Sequence, residues 1–243
     1  MNSNDKIGDL ELRLKMLQDE NKALLKLASH DIRSPLNKLF ALLNLLKMAD
    51  EAPTEEQLGY IEKMELVLSD GLHRMRNLSE LYAIENDSIK DLSENVELQS
   101  LISRNLRDQK INAERKSISF KFISEPVTTQ TDRLSVQRIF DQLISNAIKF
   151  TPTGKAIEVG LKMEESIVSI SITDGGYGIR EEEQKLLFQK FKVLSTPTTG
   201  GESKTGLGLF IAQWNAKNIG GKIIYENIGG STFRIELPLI QLA

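Results

Sequence analysis

The sequence predicts an α+β chain, in which a helical hairpin pairs with a second copy into a four-helix bundle and is followed by an α/β sandwich. Two observations carry this. Apolar residues from Leu10 to Tyr82 recur at three- and four-residue steps, whereas from residue 91 onward Ile- and Val-rich alternations are interleaved with helical stripes and Gly-rich turns. Composition narrows the chemistry. The absence of cysteine excludes disulfides, thiol nucleophiles, iron–sulfur clusters and thiolate zinc sites, and two histidines, His30 and His73, exclude a multi-histidine metal centre. A net charge of −3 gives no reason to expect nucleic acid or an anionic membrane as the main partner. No apolar run approaches the roughly 18 residues of a transmembrane helix, and the N-terminus lacks the regions of a signal peptide, so the expected location is cytoplasmic.

The elements follow in order. Leu10, Leu14, Leu17, Leu24 and Ala28 form a heptad seam with Asn21 at one a position, a residue that specifies register and a two-stranded state; an ordinary amphipathic helix also meets so short a pattern. The stripe then shifts by one residue and continues through Ile32, Leu36, Leu39, Leu43 and Leu46, so one long helix changes register around His30. Turn residues up to Pro53 precede Thr54-Glu-Glu-Gln57, a capping box that opens a second helix fading near Asn86. Its apolar stripe exceeds what one hairpin buries, which is why two chains are expected to pair. Further on, a helical stretch to about Glu114, a strand Ser117 to Ile123, a helix Asp132 to Phe150, and a hairpin of Ala156 to Lys162 with Ser166 to Thr173 are expected. A helix around Glu181 to Phe191, a polar stretch Ser195 to Thr205, a helix Gly206 to Asn218, and strands Lys222 to Glu226 and Ser231 to Leu237 complete the pattern, with helices on one face of a mixed sheet.

Four segments carry chemistry. At roughly 100° per residue, His30 lies about 160° from the centre of the Ile32/Leu36/Leu39/Leu43 stripe and so faces solvent. A neutral imidazole is nucleophilic through one ring nitrogen, and Asp31 is placed to hold the other ring N–H; a surface histidine of no consequence is the plainer alternative. On the helix Asp141 to Phe150, Gln142, Asn146 and Lys149 share one face, setting amide oxygens suited to Mg²⁺ beside an ammonium suited to phosphate. Asp174-Gly-Gly-Tyr-Gly178 follows a strand directly, so a carboxylate at the strand end can accept from an exocyclic amine beside backbone made accessible by Gly176 and Gly178. Gly206-Leu-Gly208-Leu209 opens an apolar helix whose free N–H groups can bind phosphate. It is neither the dinucleotide fingerprint, since Ile211 stands where the third Gly is required, nor a P-loop, since no Gly-Lys-Ser/Thr occurs.

Taken in order, these segments resemble the H, N, G1 and G2 boxes of the sensor histidine kinases of two-component signalling, with Leu187-Phe-Gln-Lys-Phe191 similar to the F box. The resemblance implies an N-terminal signalling helix over 1–27, a dimerising hairpin over 28–90 that carries the phospho-accepting His30, and an ATP-binding domain of the GHKL type over 91–243. It further implies that Asn146, with Gln142, holds Mg²⁺, that Lys149 contacts phosphate, that Asp174 binds the adenine amino group, and that Gly176, Gly178, Gly206, Gly208 and Leu209 frame ATP and its lid at Ser195 to Thr205. Asp31 matches the acid that assists phosphorylation, and the implied partners are a second copy and a response-regulator receiver domain. Three positions depart from the pattern. Gln142 stands where such kinases usually carry Asn and hydrolysing relatives a Glu base; an uncharged amide cannot activate water, which favours transfer over hydrolysis. Ser34 replaces the Thr or Asn that positions water for dephosphorylating the regulator, so phosphatase activity is not carried over. Val193, preceded by Lys192, stands where relatives often have an Arg near the γ-phosphate. The resemblance gives His73 no role, leaving it a solvent-facing or inter-helix residue. The alternatives to a kinase are a phosphotransfer scaffold with a decayed ATP domain and a GHKL ATPase driving conformational change.

Overall fold

The structure, a computed structural model, describes residues 15, 32, 36–47, 53–86, 92–202, 204–227 and 229–240. The heptad seam of Leu10 to Ala28, His30, Asp31 and Ser34 lie outside the described residues. The chain divides into two compact units, Met1–Ile89 and Lys90–Ala243.

In the first unit, helix α1 covers residues 36–47 and helix α2 covers Glu55–Glu85. The capping box is present: Thr54 Oγ1 accepts from the Gln57 N–H at 3.3 Å, and Gln57 Oε1 accepts from the Thr54 N–H at 2.9 Å. The two helices run antiparallel, because Leu36 lies against Gly71 while Lys47 pairs with Glu65 at 2.8 Å. Leu43, Ile61 and Leu68 form their common core. Ile61, Leu68 and Met75 are buried at seven-residue spacing, a coiled-coil seam. His73 Nε2 lies 3.3 Å from Asn77 Nδ2 on the same helix.

In the second unit, strand β1 (Ser93–Glu97) leads into helices α3 (Leu98–Asp108) and α4 (Lys110–Glu114), then strands β2 (Ser119–Ser124) and β3 (Thr128–Asp132) and helix α5 (Arg133–Phe150). Strands β4 (Ala156–Glu164) and β5 (Ile167–Thr173), helices α6 (Glu181–Gln184) and α7 (Gly208–Asn218), and strands β6 (Lys222–Asn227) and β7 (Ser231–Pro238) follow. Five strands form a mixed sheet in the order β2-β4-β5-β7-β6, parallel only between β2 and β4, and β1 pairs with β3 in a separate two-stranded sheet. Alternation buries one face of the sheet, through Ile157, Val159 and Leu161 of β4, Ile170 and Ile172 of β5, and Phe233 and Ile235 of β7. Against that face pack Ile139, Phe140 and Leu143 of α5 and Ala212 and Ala216 of α7, one continuous core. This is the predicted sandwich with helices on one face of a mixed sheet.

Several expected bounds are corrected. The helix expected to run to Glu114 breaks at Gln109, and β1 and β3 are strands where at most a short apolar alternation was legible. The β4–β5 turn is tighter than Met163-Glu-Glu165, spanning residues 165–166 with Glu165 at φ 40°. The helix expected over Glu181 to Phe191 is only α6, continued by three-residue turns (Leu187 N–H to Gln184 carbonyl, Gln189 N–H to Leu186 carbonyl). Those turns sink Leu187 into the core and bring Phe191, at φ 60°, to donate its N–H to the Gly206 carbonyl, which a continuing helix would prevent. The last helix begins at Gly208 rather than Gly206, whose φ of 66° is not helical.

Candidate functional site

Helix α5 is started by Asp132, whose carboxylate accepts from the N–H groups of Leu134 and Ser135 and from the Ser135 hydroxyl. Its apolar side locks it to the sheet and so sets the direction of Gln142, Asn146 and Lys149. The three are not equally open to solvent. Gln142 is only 7% exposed, because α7 begins against it: a Cβ on Gly208 would stand 2.7 Å from Gln142 Oε1 and 3.9 Å from Asn146 Nδ2. Asn146 and Lys149 are half-buried. The second Gly motif and the two amides thus meet at the N-terminus of α7, an approach that a Cβ at 208 would allow only by displacing the tip of Gln142.

At the end of β5, Asp174 is 5% exposed. Its Oδ1 accepts from the Gly176 N–H at 2.9 Å and from the Ser231 N–H at 3.2 Å, and its own N–H donates to the Ser231 carbonyl. Burial pushes its carboxyl above the ordinary value of 3.8, opposed by the hydrogen bonds from Gly176 and Ser231. A Cβ on Gly176 would lie 2.8 Å from the Phe150 carbonyl, so the Asp174 turn rests on the end of α5. Gly178, at φ 72°, lies against Asn227, and the Ile179 N–H donates to the Tyr225 hydroxyl at 2.8 Å. Gly206 closes on the backbone of Phe191 and Lys192, where a Cβ would meet main-chain atoms at 2.7 Å, and Leu209 packs on the core. Of the F-box residues, Leu187 and Phe188 face the core while Phe191 is exposed, as is Val193 just after them.

The polar stretch from Ser195 is tied down on both sides. The Ser195 N–H and hydroxyl both donate to Glu183 at 2.8 Å and hold that carboxyl below its ordinary range, and the Thr196 hydroxyl donates to the Gly178 carbonyl. The Thr199 N–H donates to the Lys149 carbonyl at 2.9 Å. Ser231, Tyr225, Glu183 and Thr199 were not singled out from the sequence. Only Ser231 carried a legible signal, the Gly229-Gly230 pair before it; a Cβ on Gly230 would collide with the Asp174 carbonyl.

Residues 131–241 match the histidine kinase-, DNA gyrase B- and HSP90-like ATPase family, an ATP-binding fold. Over 228 residues the chain is 29% identical to the heme sensor protein HssS of Staphylococcus saprophyticus, covering 93% of this chain and 48% of that protein. It is also 29% identical to the swarming motility regulation sensor protein RssA of Serratia marcescens, over 96% of this chain and 50% of that protein. The catalytic domain of histidine kinase ThkA superposes with a TM-score of 0.55 at 28% identity, over 61% of this chain and 96% of that domain. Residues 131–241 carry the ATPase domain of that family, and the chain resembles sensor histidine kinases along most of its length.

The chain spans about half the length of the curated relatives it matches. The segments similar to the N, G1, F and G2 boxes, distant in sequence, converge on the end of α5 and the start of α7. The H-box residues His30 and Asp31 are outside the described residues. Among the described residues no group of three His, Asp or Glu side chains could hold a metal ion. No described helix is long and apolar enough to cross a membrane.

Proposed function

We propose that this chain is the kinase core of a cytoplasmic, homodimeric sensor histidine kinase. It autophosphorylates His30 from Mg-ATP and donates the phosphoryl group to an aspartate of a response-regulator receiver domain. The observation that carries the reading is the approach of Gly208 to Gln142 and Asn146, which sets helix N–H donors beside amide oxygens, with buried Asp174 anchored on the same helix end through Gly176. Asp174 accepts the adenine amino group with the lone pairs that Gly176 and Ser231 leave over. The N–H groups of Gly208 and Leu209 at the start of α7 face the phosphates, where the helix dipole adds to them, and Lys149 neutralises phosphate charge. Asn146 and Gln142 would hold Mg²⁺, which would supply charge neutralisation to the phosphates. The bond from the γ-phosphorus to the bridging oxygen breaks, a phosphorus–nitrogen bond forms at the His30 imidazole, ADP leaves, and Asp31 holds the remaining ring N–H.

Support for transfer over hydrolysis comes from Gln142, whose neutral amide offers no base for water. Exposed Leu42, Leu45, Leu46, Leu66 and Val67 on the hairpin support pairing with a second copy. Calorimetric titration with a non-hydrolysable ATP analogue and Mg²⁺ tests the nucleotide half. Saturable binding that Asn146→Ala weakens at least tenfold is expected; no heat of binding identifies a scaffold with a decayed ATP domain.

A further inference from the structure

Lys116, in the loop between α4 and β2, has no place in the reading above, yet its ammonium sits at the junction of α5 and the segment Ser195 to Thr205. Its Nζ donates to the Ile148 carbonyl at 2.7 Å, the Lys149 carbonyl at 3.3 Å, the Thr199 hydroxyl, and Glu202 Oε1 at 3.2 Å. Both charged side chains are largely buried, at 13% and 19% exposure, unlike the surface pair Lys121–Glu158 at 59% and 53%. Water therefore screens this pair little. Each acceptor is itself held. Thr199 gives its N–H to the Lys149 carbonyl and its hydroxyl to the Thr151 carbonyl at 2.7 Å. Glu202 Oε2 accepts from the Gly200 N–H at 2.9 Å and its carbonyl from the Thr198 hydroxyl, which closes 198–202 into a turn. The opposite end of the segment is fastened separately, by Thr196 to Gly178 and by Lys204 Nζ to the carbonyls of Leu194 and Thr196.

We propose that Lys116 is a positioning residue that latches the ATP lid to the end of α5. This rests on reading 195–205 as that lid. The two fastenings lie at the two ends of the nucleotide site, the Gly178 turn beside Asp174 and the helix end that carries Lys149. A lid held at both ends roofs the site; releasing the Lys116 end opens it at the phosphate side. The same cation caps the last carbonyls of α5, so lid closure and the placement of Lys149 are one event.

The test uses Lys116→Met, Glu202→Gln, the double variant and Lys116→Arg, with Mg²⁺ and a non-hydrolysable ATP analogue as probe. Lys116→Met is expected to raise the dissociation constant about tenfold and Glu202→Gln about threefold, with the double variant no worse than Lys116→Met and Lys116→Arg within about twofold of wild type. Tryptic cleavage after Lys204, followed by mass spectrometry without nucleotide, is expected to accelerate about tenfold in Lys116→Met and to be restored in Lys116→Arg. Unchanged cleavage and affinity in a variant with the wild-type melting temperature, or tighter binding, overturns the latch. If Lys116→Met does not fold, Glu202→Gln decides, since it leaves the carbonyl contacts of Lys116 in place. If the wild type does not bind the analogue, the nucleotide reading fails while cleavage at Lys204 still decides whether the latch exists.

Discussion

Asp174 is a carboxylate that the fold holds against its own ionisation. With its pKa raised in the folded chain, it binds more protons folded than unfolded above pH 3.8, so stability falls as pH climbs from 3.8 through the raised value, and the penalty persists at neutral pH. Asp174→Asn keeps an oxygen for Gly176 and Ser231 and removes the charge. Calorimetric melting is expected to give a Tm at neutral pH no lower than wild type, with a flatter pH dependence, while nucleotide affinity falls at least about tenfold because an amide presents donors to the adenine amine. A lowered Tm with unchanged affinity contradicts the assignment. The two glycines of the last motif separate in the same way. In Gly208→Ala the new Cβ meets the tip of the Gln142 side chain, which costs about 1 kcal/mol by urea unfolding. In Gly206→Ala it meets backbone at φ 66°, which costs about 2–3 kcal/mol. At this scale the sequence showed which residue types were present, and Asp174 lies in the turn where spacing put it. It did not show that Gln142 would be buried, because helical periodicity reports a face and not what packs on it. Lys116 carried no signal at all, since its partners Thr199 and Glu202 are 83 and 86 residues away.

Elements were legible where apolar spacing or capping chemistry was strong. Thr54 and Gln57 mark the start of α2, and β4 and β5 declare themselves by alternating Ile and Val. Strands β1 and β3 were hidden because Ser93–Glu97 and Thr128–Asp132 are almost wholly polar; they are strands through mutual pairing and the burial of Thr129 and Thr131, not through an apolar period. The F-box segment read as a helix because its acids and apolar residues fit one, while the hydrogen bond from Phe191 to Gly206 decided otherwise. The hairpin makes its own prediction. Val67 is 71% exposed and Leu46 57% in a single protomer, and neither belongs to the Leu43/Ile61/Leu68 core. Each buries roughly 1.5–3 kcal/mol of apolar surface when covered. Sedimentation is expected to show a wild-type dimer, and a helical monomer for the Leu46→Glu/Val67→Glu variant; a variant that remains dimeric places the interface elsewhere.

For the whole molecule, two units divide the chemistry: a helical hairpin next to the segment that contains His30, and an ATPase fold in which four sequence-distant motifs converge. On the proposed function neither unit would suffice for phosphoryl transfer, since the nucleophile would belong to one and the charge-neutralising groups to the other. This makes His30 the residue on which the account turns, and the most direct measurement is incubation of the purified chain with γ-labelled ATP and Mg²⁺, beside His30→Gln. Acid-labile, base-stable label is expected on the wild type and none on the variant. Absence of label on the wild type, label retained by the variant, or steady ATP turnover indifferent to His30 would contradict the account.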